Sequence, residues 1–134
     1  MNVMHVLYAY EHVNLDRLFY MSPYKRALDG CMHLCGELDV LKNVSTEDEF
    51  LISIELLLGK LVLLKHHVDV MADSAVYISL EDLEYLSEVV EVIRQESYAL
   101  VQERMQECKE LFEQLFAAIQ KSIKKRIEKA IFNA

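Results

Sequence analysis

Proline occurs once in this chain, glycine three times and tryptophan not at all. So few breakers leave little room for the turns of a β-rich fold, and long uninterrupted helices are the expected outcome. Cysteine is also scarce. Three residues form neither a disulfide framework nor a CxxC pair, and their odd number fits reduced thiols in a cytoplasmic protein. No signal-like n-region and h-region opens the sequence. No apolar run reaches the ~20 residues of a membrane span. The longest approach, LISIELLLGKLVLL at 51–64, is interrupted by Glu55 and Lys60.

Positive charge is the remaining deficit. Against 22 carboxylates stand 14 Lys and Arg, for a formal net charge of -8, which argues against a nucleic-acid groove spanning the whole surface. The deficit is uneven. Residues 1–120 carry 21 acidic and 9 basic side chains, whereas residues 121–134 carry 1 and 5, so a small basic end sits on an acidic body.

What is present is apolar, at 53% of 134 residues, enough for one helical domain over 1–134. Val3, Val6, Leu7, Tyr10, Leu18 and Phe19 suit a helix over 2–20, although VLYAY also reads as a strand. Ser22-Pro23 places an N-cap and a first-turn proline before a stripe of Ala27, Cys31, Leu34, Cys35, Leu38 and Leu41, ending near Asn43. Thr46 and Glu49 form a capping box for a helix to Met71 or Ala72, with Phe50, Ile54, Leu57, Leu58, Leu61, Leu64 and Val68 on its principal face. Ile52, Leu56, Leu63 and Val70 lie nearly opposite. That second face predicts a central helix buried on two sides.

Ser79 and Asp82 open the last segment, in which no Gly or Pro follows residue 80. One very long C-terminal helix is expected, either bent near 97–104 or straight, with 105–131 extending into an oligomer interface. Its ridge of Val101, Met105, Cys108, Phe112, Leu115, Phe116, Ile119, Ile123 and Ile127 predicts a homodimer, because so many bulky side chains are poorly suited to water. The fold class is therefore all-α, a four-helix arrangement in a homodimeric helical bundle.

Candidate chemistry is sparse. His66, Asp69 and Asp73 share one side of the central helix, a pattern able to hold a divalent metal, to salt-bridge locally, or, at His66, to relay a phosphoryl group. No histidine has glutamate three residues before it, so the di-iron bundle pattern is missing. Cys31 and Cys35 coincide with the apolar stripe and read as buried small hydrophobes. Tyr20 and Tyr24, beside the first cap, suit partner contact. Lys121, Lys124, Lys125, Arg126 and Lys129 alternate with isoleucines in the tail, offering contacts to a phosphate or an acidic partner. Acidic residues from Glu81 to Glu113 suit a basic protein partner. The reading with the fewest demands is a non-enzymatic interaction or regulatory protein needing no cofactor. A small nucleic-acid-binding dimer and a metal-binding or histidine phosphotransfer protein are the alternatives.

Overall fold

A computed structural model describes residues 21–101 and 106–132, with the side chains of residues 106 and 107 excepted. The expected helix over 2–20, with its tyrosines, lies outside them. All four described elements are helices: α1 Pro23–Lys42, α2 Glu47–Asp73, α3 Leu80–Val101 and α4 Gln106–Phe132. Among the described residues there is no strand.

The starts follow the caps read from the sequence. Ser22 Oγ accepts from the Lys25 amide at 3.2 Å, with Pro23 in the first turn. Thr46 Oγ1 accepts from the Glu49 amide at 3.2 Å, while Glu49 Oε2 reaches back to the Ser45 amide rather than to that of Thr46. The capping box is thus displaced by one residue, still satisfying an amide ahead of the helix. Ser79 Oγ accepts from the Asp82 amide at 3.1 Å and opens α3.

Packing arranges the four helices as the corners of a square. α1 packs on α2 and α3, and α4 packs on the same two, which leaves α2 and α3 on one diagonal. Gly30 of α1 lies against Leu64 of α2, near enough that an added Cβ would stand 3.0 Å from Leu64 Cδ1. Lys42 at the end of α1 reaches Glu96 of α3 at 3.6 Å. Ser122 and Arg126 of α4 bond to Asp69 and to the Val76 carbonyl beyond α2, so those two helices run parallel. The connection 74–79 must cross one end of the bundle diagonally. Its Ile78 is buried.

One continuous core results. Leu34, Leu38, Phe50, Leu57, Leu61, Leu64, Leu83, Leu86, Val90, Phe112, Phe116 and Ile119 are buried, with Phe112 and Phe116 stacked at 6.5 Å between centroids. These are the stripes that helical periodicity identifies.

Two expectations are corrected. α2 is a corner helix, not a central one: Ile52, Leu56, Leu63 and Val70 are 59%, 49%, 44% and 41% exposed, because both neighbours cover the same side of it. The segment after residue 80 is two helices packed on each other rather than one rod, the bent of the two forms expected for it. Gln120 Nε2 donates to Glu91 Oε2 and Lys109 Nζ lies 5.4 Å from the Tyr98 ring centre, contacts that require an antiparallel return. A straight helix would separate Glu91 and Gln120 by about 44 Å at ~1.5 Å per residue.

The return also relocates the ridge read as an interface. Val101, Phe112, Phe116, Ile119 and Ile123 are buried within one chain, and Cys108, Leu115 and Ile127 are partly buried against the same core. Met105 lies outside the described residues. The reach of this ridge beyond a small core, which motivated the interface, disappears once α4 lies beside α3. Cys31 is buried as expected, and burial pushes its thiol up to about 12. Cys35, one turn later, is exposed.

Candidate functional site: a polar cleft and an uncovered face

Two sets of residues far apart in sequence meet between the C-terminal halves of α2 and α4. Asp69, Ala72 and Asp73 come from α2; Ser122, Lys125, Arg126 and Lys129 come from α4; together they line a half-open cleft of about 500 Å³. The weak metal candidates and the basic tail are thus parts of one surface. Lys121 and Lys124 are exposed outside this lining.

Asp69 organises the cleft. Its Oδ2 accepts from Lys65 Nζ and its Oδ1 from Ser122 Oγ, both at 2.8 Å. Partial burial works against its charged form, but those two bonds outweigh it and hold the carboxyl below the usual range. Both oxygens are therefore engaged by donors. His66, one turn away, is exposed, and its ring stands 5.8 Å from that of His67. Burial, then His66 and Arg26, lower the pKa of His67. Among the described residues no three His, Cys, Asp or Glu side chains gather as a metal-binding set.

Arg126 forms the wall at the far end. It is 7% exposed, its Nη2 donates to the Val76 carbonyl at 3.0 Å, and its Nε has no hydrogen-bond partner among the described residues. Sequence reasoning placed this residue among exposed phosphate contacts. Its partner is a backbone carbonyl on the diagonal connection, and no side-chain pattern announces such an acceptor. Ser122, also absent from that reading, has only its spacing from Arg126 on α4 as a signal.

Other ionisable groups lie outside the cleft. Arg94 grips Glu91 through two bonds, Nη2 to Oε1 at 2.7 Å and Nε to Oε2 at 3.0 Å, and Gln120 and Gln95 add to them. Arg94 above all holds the Glu91 carboxyl down to about 2. Glu37 on α1 is buried, which pushes its carboxyl up while Lys60 opposes the shift. On the outer side of α3, Glu81, Asp82, Glu84, Glu88 and Glu96 are exposed, followed on α4 by Glu110 and Glu113.

The second feature is the outer face of α2. Ile52, Leu56, Gly59, Leu63, His66 and Val70 follow one another at intervals of four and three, flanked by exposed Leu51 and Val62. A Cβ added at Gly59 would have nothing within 4 Å. This row is the expected second apolar face, present in the sequence and left uncovered by the described helices.

None of the protein-family models, curated proteins or solved structures compared with the chain matches it. No helix among the described residues is long and apolar enough to cross a membrane.

Proposed function

We propose that this chain is a non-enzymatic interaction protein that assembles with a second copy of itself through the outer face of α2. The observation that carries the reading is the uncovered row from Ile52 to Val70, about 27 Å long at ~1.5 Å per residue. Its four-three spacing is that of a left-handed coiled-coil seam, which needs another helix to bury it. Large apolar rows left in water mark interaction surfaces. The homodimer expected from α4 is thereby moved to α2.

Charge selects the orientation. Glu55 and Lys60 flank the seam five residues apart, so in a parallel pair the Glu55 of one copy meets the Lys60 of the other. An antiparallel pair would bring Glu55 toward Asp69 and Lys60 toward its own equivalent. Like charges at those flanks disfavour it. The acidic outer side of α3 would remain free in such a dimer, and a basic protein is the partner its charge would suit.

The test is solution mass by light scattering on a size-exclusion column, over a range of concentrations and under reducing conditions. A species near twice 15.6 kDa is expected for the unaltered chain, and the doubly substituted Leu56→Glu, Leu63→Glu chain should run as a monomer of unchanged helix content. A wild-type chain that stays monomeric at every concentration, or a double variant that still dimerises, would sink the reading.

A further inference from the structure

On the other side of Arg126 from the polar cleft lies a second one, of about 430 Å³, with a different character. Tyr77 and Leu80 line it from the diagonal connection and the start of α3, and Ala130 and Ile131 from the last turns of α4. Arg126 and Lys129 belong to both clefts. Tyr77 is 86% exposed and Ile131 56%, so this end of the bundle presents apolar surface beside two cations.

Arg126 is the unusual member. A guanidinium this deeply buried ordinarily has its N–H groups satisfied, because an unpartnered buried donor costs on the order of 1–3 kcal/mol. Here the Val76 carbonyl engages Nη2, while the buried Nε has no acceptor among the described residues. The guanidinium is therefore held in position; its Nε is closed off from solvent, which leaves Nη1 as the group a ligand in the cleft can reach. Lys129, one turn away and exposed, adds a second cation.

From this arrangement we infer that the cleft beside Tyr77 and Leu80 binds a small amphipathic carboxylate. Its apolar body rests against Tyr77, Leu80, Ala130 and Ile131, and its carboxylate takes the acceptor role at Arg126 with Lys129 alongside. A guanidinium matches the planar carboxylate through paired N–H groups. The apolar lining requires a body as well as a head, which separates this ligand from a free inorganic anion.

The inference is tested by titrating the full-length chain with decanoate and following backbone amide resonances. Decanol and decyltrimethylammonium serve as the uncharged and cationic counterparts. Saturable shifts are expected at residues 77–80 and 126–131 with decanoate, and much weaker ones with either counterpart. Lys129→Glu reverses an exposed charge and should weaken decanoate binding roughly tenfold while leaving the fold intact. Arg126→Lys keeps the charge but lacks the planar guanidinium, and should weaken it further. Since Arg126 also holds Val76, the Lys129 variant decides the matter if the Arg126 variant fails to fold. Three results would each overturn the inference: no saturable shift at those residues, equal binding of all three amphiphiles, or unchanged affinity in the Lys129 variant.

Discussion

α2 and α4 are both 27-residue helices, lie side by side and run the same way, yet they distribute their apolar side chains differently. α4 turns Phe112, Phe116, Ile119 and Ile123 into the core and shows water a largely charged outer side. α2 turns Phe50, Ile54, Leu57, Leu61, Leu64 and Val68 inward and still carries a second apolar row outside. Two helices in equivalent corners need the same inner face, so the surplus on α2 is not required by the bundle. A surplus of that kind, at coiled-coil spacing, is where association is to be sought.

The comparison can be broken most sharply by truncating one side chain of each type. Phe116→Ala should cost about 3–5 kcal/mol, since it empties a fully packed position between α4 and its neighbours. Leu56→Ala should stay within about 0.5 kcal/mol when urea unfolding is followed at the lowest workable concentration. Equal losses at both positions would mean that the outer face of α2 is covered within a single chain.

Acid sharpens the contrast from the side of α4, which is tied to α3 through Glu91. The Glu91 carboxyl is at about 2 in the folded chain against an ordinary value of 4.5, so its contribution is present above the ordinary value and is lost as pH falls through the folded one. Between pH about 5 and about 2 the unaltered chain should therefore lose more melting temperature than Glu91→Gln does. The two should converge at the acid end. A constant gap across that window would show that Glu91 does not hold the α3–α4 pair through its charge. Because the side chain is 39% exposed, solvent screening keeps the effect modest.

The smallest effect lies in two glycines of opposite surroundings. Gly59→Ala should raise stability by roughly 0.5–1 kcal/mol, because the new methyl meets nothing and the helix gains propensity. Gly30→Ala offers the same gain but places its methyl 3.0 Å from Leu64 Cδ1, so the increase should be smaller or reversed. Chemical denaturation of both variants checks this, and equal gains would mean that α1 and α2 separate without cost.

Much of the architecture was legible along the chain because it is local. A serine or threonine cap needs only an amide three residues on, as at Ser22, Thr46 and Ser79. Buried stripes need only a repeat near 3.6 residues, and Leu57, Leu61, Leu64 and Val68 were identifiable on that basis. The return of α4 onto α3 was only half legible, since a bend near 97–104 and a straight rod suit the helical spacing equally and no Gly or Pro decides between them. The polar cleft escaped for a different reason. Asp69 and Ser122 are 53 positions apart, and only the parallel pairing of α2 with α4 brings them to 2.8 Å.

The sequence by itself determined that the chain is helical, where α1, α2 and α3 begin, and the principal stripe that each described helix turns inward, because caps and periodicity act within one or two turns. Tertiary structure alone decided that α2 occupies a corner, that the ridge of α4 is consumed inside the chain, and that Arg126 ends between two clefts. Each of those outcomes depends on which helices become neighbours, and that choice is set by the joint burial of several stripes rather than by any one of them.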